Sequence, residues 1–188
     1  MTALPNTPFG MDDYKEEYGI ETTVTQPRFA HREVGTLVSD TENFVVKTNT
    51  FDKEDWLEGH QFRWIVIFGH YLGNVQFIAR FLRKYCKVTY KEFYSKLLDY
   101  CKKHKNSFLG NEYHSIKNDM RLVLKNKKYW GSVVPEIADI NWDVDEGTAI
   151  KVGMNYKEFE KDLRTFVESL DLSLDLDIMK ELFEYQKL

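Results

Sequence analysis

The 188 residues suit one domain with an attached arm, and 43% hydrophobic with 15% aromatic residues can supply a real core. Ten glycines and four prolines exclude a collagen-like or low-complexity chain. Two cysteines are too few for a disulfide scaffold, a Cys-only zinc site or an iron–sulfur cluster, so a reducing cytoplasm is the expected compartment.

In chain order, residues 1–10 carry two prolines and read as an extended arm. Asp12-Asp13-Tyr14-Lys15-Glu16-Glu17-Tyr18 predicts a short helix, acids first where the dipole favours them, ended by Gly19. Ile20–Thr25 and Phe44–Thr48 read as short strands, with a loop over 26–41 between them. Asp52 and Asp55 then cap a long helix over 53–86. Its stripe is Trp56, His60, Trp64, Ile67, Tyr71, Val75, Ile78 and Leu82, with Gly69 and Gly73 as points of breakage. Thr89-Tyr90-Lys91-Glu92 is a capping box opening a helix over 90–104, and a further helix is expected over 111–128. Residues 129–153 are poorly legible, with Ile150-Lys151-Val152 as a candidate strand. Asn155 to Glu158 caps a helix carrying Phe159, Leu163, Phe166 and Val167, and Asp175 or Asp177 caps the last helix, to Gln186. The expected fold is mainly α: a helical bundle-like domain over 52–188, preceded over 1–51 by an extended N-terminal arm with a few short β-strands.

The net charge of −4 is unevenly spread: 1–79 carry −6, 80–130 carry +10 and 131–188 carry −8. The basic middle can form a phosphate-binding face, be neutralised by its flanks, or lie on solvated helix faces. No stacking platform or recognition helix accompanies it, so no nucleic-acid partner is expected. Trp64 to Leu82 is the most apolar window, but His70, Asn74, Gln76 and Arg80 interrupt it, which favours a core helix over a membrane span. The first residues lack the basic and apolar regions of a signal peptide.

No Gly-rich phosphate loop, calcium hand, nucleophile elbow or paired-histidine zinc motif is present. Asp12-Asp13 and Asp143-Val144-Asp145-Glu146 read as solvated acids in turns. His60 lies within the apolar stripe and His70 on another face. Each is either a satisfied core histidine or a substrate-facing one. Two tryptophans, a tyrosine and a histidine on one stripe suit a ligand-lining wall as well as a core. The substrate-facing candidates are His60, Arg63, Trp64 and His70. No catalytic, cofactor-binding or metal-ligating residue is named.

Three ordered stretches carry a resemblance. The first is Leu4-Pro5-Asn6-Thr7-Pro8, then Asp13-Tyr14, Glu17-Tyr18-Gly19-Ile20 and Thr22. The second is Val45-Val46-Lys47-Thr48-Asn49-Thr50, running into Glu54-Asp55-Trp56 and Phe62-Arg63-Trp64. The third is Trp142, Asp145-Glu146 and Ala149, followed by Asn155-Tyr156-Lys157-Glu158-Phe159, Leu163, Phe166-Val167 and Leu182-Phe183-Glu184-Tyr185-Gln186. Together they resemble the C-terminal region of cobalamin-binding radical S-adenosylmethionine (SAM) proteins. The chain departs from that family in lacking the Cys-x3-Cys-x2-Cys cluster motif and the Asp-x-His-x-x-Gly cobalamin motif.

The resemblance implies the downstream piece, or a remnant, of a larger enzyme whose [4Fe–4S] cluster, S-adenosylmethionine and cobalamin are held elsewhere. Its partners would be the radical SAM barrel and the cobalamin-binding domain of the parent chain. The arm would pack near the barrel's end, and the helices would cap the active site without being catalytic themselves. Two readings stand beside it: an interaction module holding an anionic partner through 80–130, and a small stand-alone enzyme using His60 or His70.

Overall fold

The computed structural model describes residues 2–25, 32–33, 41–128, 130–172 and 174–187. The fold is mainly helical, as expected, with short antiparallel strands. It forms two compact units: Met1–His60 with Ser115–Gly147, and Gln61–His114 with Thr148–Leu188.

In the first unit, helix α1 (Asp12–Tyr18) ends at Gly19, whose φ of 59° is left-handed. A Cβ there would lie 2.1 Å from the Asn49 side chain, so both backbone shape and space select glycine. Strand β1 (Glu21–Thr25) pairs antiparallel with β3 (Glu42–Lys47). The arm joins them through a Thr2–Phe44 bridge and an Ala3 N–H to Asn43 carbonyl bond of 2.7 Å. A small core of Ala3, Ile20 and Val45, flanked by Phe9, Tyr14 and Phe51, holds this piece together. The buried residues of β1 include Thr23 and Thr25, and both are satisfied. The Thr23 hydroxyl bonds the Val123 carbonyl (2.6 Å), and the Thr25 hydroxyl accepts from the Trp130 N–H (3.2 Å).

A second small sheet orders β2 (Arg32–Glu33), β5 (Ala138–Trp142) and β4 (Ser132–Val134). The β4–β5 hairpin lies in the poorly legible stretch, and β2 falls where a loop was expected. The strand expected at Ile150-Lys151-Val152 is corrected to helix α6 (Val144–Met154). The acid cluster starts this helix: Asp143 Oδ1 accepts from the adjacent Val144 N–H (2.9 Å), and Glu146 Oε2 reaches back to accept from the Asp143 N–H (3.3 Å). Asp143 and Glu146 are therefore helix-starting groups.

The expected 53–86 helix is two helices. Helix α2 (Lys53–Val66) opens with Asp52 Oδ1 accepting from the Glu54 and Asp55 N–H groups, while Asp55 returns a bond to Asp52. It continues into a π-helical turn at Ile67–Tyr71, and α3 (Gln76–Tyr85) then leaves at 89°. Among the described residues, no single helix is long and apolar enough to cross a membrane.

The second unit adds α4 (Tyr90–Lys103), part of α5 (Phe108–Leu124), α7 (Tyr156–Glu168) and α8 (Leu176–Gln186). Thr89 caps α4 by accepting from the Glu92 N–H, and Asp175 caps α8 by accepting from the Asp177 N–H. Asn155, expected to cap α7, instead donates to the Lys151 carbonyl at the end of α6 (2.9 Å). Trp64, Phe68, Phe93, Phe159, Phe166 and Phe183 form an aromatic core. Fully burying such a side chain contributes about 1.5–3 kcal/mol. Buried Asp162 on α7 accepts from the Leu109 N–H at the start of α5 (2.8 Å).

Candidate functional site

The break between α2 and α3 shapes a groove in the second unit. A π turn widens the helix by one residue, and such turns recur at functional sites. Side chains satisfy the carbonyls it frees: Asn74 Nδ2 donates to Phe68 O (2.9 Å) and Gln76 Nε2 to His70 O (3.0 Å). Gln186, buried at the end of α8, donates to Gly73 O (2.7 Å). Its Oε1 accepts from the Phe77 and Ile78 N–H groups (3.0 and 3.3 Å). One glutamine thus caps the start of α3 and fixes the corner. Gly69 lets α4 approach: a Cβ would meet Val75 Cγ2 at 2.8 Å and Tyr94 Cε1 at 3.0 Å.

The turn presents His70 and Tyr71 opposite the first turns of α4. With Phe62 and Val66 of α2 and Tyr90, Lys91, Tyr94 and Ser95 of α4, they line a groove of about 700 Å³. This size lies in the range of small-molecule sites, and the wall is largely aromatic with a few polar groups. Tyr71 is 76% exposed, an unusual placement for a tyrosine held in a fixed turn. His70 Nδ1 lies 3.0 Å from the Tyr94 hydroxyl, and its ring meets those of Tyr90 and Tyr94 edge-on. Burial, and then the Arg80 charge, hold the imidazole below its ordinary pKa, so it is neutral near pH 7. Burial pushes the Tyr94 phenol above its usual range, keeping it protonated. The phenol engages one nitrogen of the neutral imidazole, which leaves the other for a hydrogen bond to a ligand.

The other candidates sit elsewhere. Trp64 is fully buried, stacks on Phe68 at 5.9 Å and donates from Nε1 to Thr148 Oγ1 at 3.0 Å. Arg63 is half-buried on α2 and does not line the groove. His60, in the first unit, lies among Trp56 (4.2 Å between ring centroids), Trp130 (5.2 Å) and Phe44 (5.8 Å). Beside that cluster is a void of about 10 Å³, room for a single water at most. The buried Trp56 Nε1 has no hydrogen-bond partner among the described residues.

Of the four candidates, the groove takes His70. Its other polar contributors went unrecognised in the sequence. Tyr90 and Lys91 lie inside the Thr89 capping box, and the Tyr90/Tyr94 spacing of four was the signal that both share one helix face. Within the basic 80–130 stretch, Lys96, Lys102 and Lys128 each pair with a nearby carboxylate. Among the described residues, no group of three or more His, Cys, Asp or Glu is placed to hold a metal ion. Burial raises the pKa of both Cys86 and Cys101, which opposes the thiolate form a cluster ligand needs.

No family model matches the chain. It is 26% identical over 183 residues to the cobalamin-dependent radical SAM methyltransferase TokK of Streptomyces tokunonensis, an alignment covering 90% of this chain and 27% of TokK. It is 25% identical over 202 aligned residues to the 2-(S-pantetheinyl)-carbapenam-3-carboxylate methyltransferase of Streptantibioticus cattleyicolor, covering 98% of this chain and 29% of that enzyme. The chain thus spans under a third of the length of the curated relatives it matches. Similarity along nearly its whole length links it to the cobalamin-dependent radical SAM methyltransferases.

Proposed function

We propose that this chain is the C-terminal accessory part of a cobalamin-dependent radical SAM enzyme, non-catalytic by itself, and that its helical unit helps form the substrate pocket. The observation that carries this reading is coverage. A cobalamin-dependent radical SAM methyltransferase and a second methyltransferase match 90% and 98% of the chain, yet the chain accounts for only 27% and 29% of them. A segment of that proportion is a part of their architecture.

The residues agree with an accessory role. A cluster of the Cys-x3-Cys-x2-Cys kind needs three thiolates, and this chain has two cysteines, both with raised pKa values. The [4Fe–4S] cluster, S-adenosylmethionine and cobalamin are assigned to the parent's barrel and cobalamin-binding domain, which are the chain's proposed partners. Nothing in the similarities favours the stand-alone module that uses 80–130. Among the four candidates, His70 is put forward as substrate-facing, because it is neutral, hydrogen-bonded on one nitrogen and part of the groove wall.

The coding DNA tests the assignment. An in-frame upstream segment, or a co-expressed neighbour, encoding Cys-x3-Cys-x2-Cys together with a cobalamin-binding domain is expected, as is co-purification of its product with this chain. A locus without either would overturn the reading.

A further inference from the structure

We infer that the groove beside the α2–α3 corner binds a molecule with a flat apolar body and a single anionic head, the body lying against Tyr71 and Tyr90 and the head meeting Lys91. This deepens the proposal that His70 faces a substrate by naming that substrate's chemistry.

The body is argued from the walls. Tyr71, Tyr90 and Tyr94 present rings around His70, and these large rigid surfaces lose little entropy on binding. Tyr71 meets His70 edge-on and is otherwise largely exposed, so its ring is available to a ligand. The wall is also pre-organised: Gln76, Asn74 and Gln186 tie down the corner's carbonyls and the start of α3. Ordering the site therefore costs a ligand little.

The head is argued from charge. Among the described residues no carboxylate lines the groove. Lys91 does line it, is exposed, and forms no ion pair among those residues. Glu92, its sequence neighbour, is taken by Lys96 at 2.8 Å. Arg80 is close enough to influence both His70 and Tyr94. Three tyrosines suggest a cage for a cationic ligand, but the charges oppose it: the Arg83 guanidinium already lies 4.5 Å from the Tyr90 ring centroid. A positive field over apolar walls favours an anion at one end and an uncharged surface along the rest. Ser95 and the second nitrogen of His70, which makes no bond among the described residues, supply hydrogen bonds for polar atoms between them.

The experiment titrates the full 188-residue chain with naphthalene-2-carboxylate, its carboxamide and naphthalen-2-ylmethylammonium, following the histidine ring nitrogens by NMR. The carboxylate is expected to shift the His70 resonances and to bind about five-fold more tightly than the carboxamide, the scale of one exposed ion pair. Lys91→Gln should erase that preference, and Tyr71→Ala should weaken carboxylate and carboxamide alike. Both side chains are exposed, so both variants should keep the unfolding midpoint of the parent chain. No binding of the carboxylate, equal or tighter binding of the carboxamide or the ammonium, or indifference to either substitution overturns the inference. The assay needs no parent enzyme, so its failure leaves the coding-DNA test of the accessory role independent.

Discussion

His60 and His70 lie ten residues apart and are both substrate-facing candidates by sequence, yet their surroundings differ in kind. Around His60 the space is filled: aromatic rings pack within 6 Å, and the adjoining void holds at most one water. Around His70 it is open: one nitrogen is held by Tyr94, the walls are aromatic, and the groove has about 700 Å³. What separates them is backbone. Both rings are half-buried, but His60 lies in regular helix among packed rings, whereas His70 lies in a π turn ahead of an 89° corner. A histidine becomes available to a ligand here because the helix is interrupted beneath it.

The sharpest way to break this comparison is to remove what holds the corner. Gln186→Leu deprives the Phe77 and Ile78 N–H groups and the Gly73 carbonyl of their partner in a buried setting. It should cost about 2–3 kcal/mol in urea unfolding. A cost under about 0.5 kcal/mol, the level of an ordinary surface change, would show that the corner does not depend on α8. Gly69→Ala follows, at about 1–3 kcal/mol, since its methyl must displace Val75 and the Tyr94 ring. Loss of the Tyr94 contact to His70, seen in the histidine NMR spectrum, should accompany it.

The two histidines themselves come next. His60→Ala removes a ring from a filled cluster and should cost about 1–2 kcal/mol. His70→Ala opens a wall that already faces solvent and should cost less, about 0.5–1 kcal/mol for one hydrogen bond. On the proposed accessory role, turnover of the parent enzyme should show the reverse order, with His70→Ala the more damaging. Equal stability costs together with equal turnover would dissolve the distinction between the two sites.

Much of the fold was legible where one local rule acts alone. Thr89 with Glu92, Asp52 with Asp55, and Asp175 each start a helix through the bond their spacing predicts. Where two rules overlapped, the reading failed. Asp143 and Glu146 bond the N–H groups at the start of α6, but beside Asp145 they read as a solvated acid cluster, and the β-branched Ile150 and Val152 then suggest a strand. The β4–β5 hairpin, with strands of three and five residues, is too short for its alternation to stand out. The groove was half legible. His70 and the breaking glycines were visible, but Tyr90, Lys91 and Tyr94 reach it only through the corner, and no local pattern predicts an 89° turn.

The smallest effect concerns pH and separates the sites most cleanly. In the folded chain, burial and the Arg80 charge hold His70 below its ordinary pKa, whereas unfolding returns it to that value. The unfolded state therefore binds the proton more readily. The contribution is fully present above about pH 6.5, the unfolded value, and is lost as the pH falls through the lower folded value. Because the ring is partly solvated, the effect should be modest. It appears as a decline in unfolding free energy as the pH falls below about 6.5, the unfolded value, that His70→Gln makes shallower. A neutral glutamine can still bond Tyr94, so the variant removes the titration while keeping the contact. An unchanged slope would mean that protonated His70 is tolerated in the fold, and the open groove would then lose its neutral donor and acceptor in mild acid without any loss of structure.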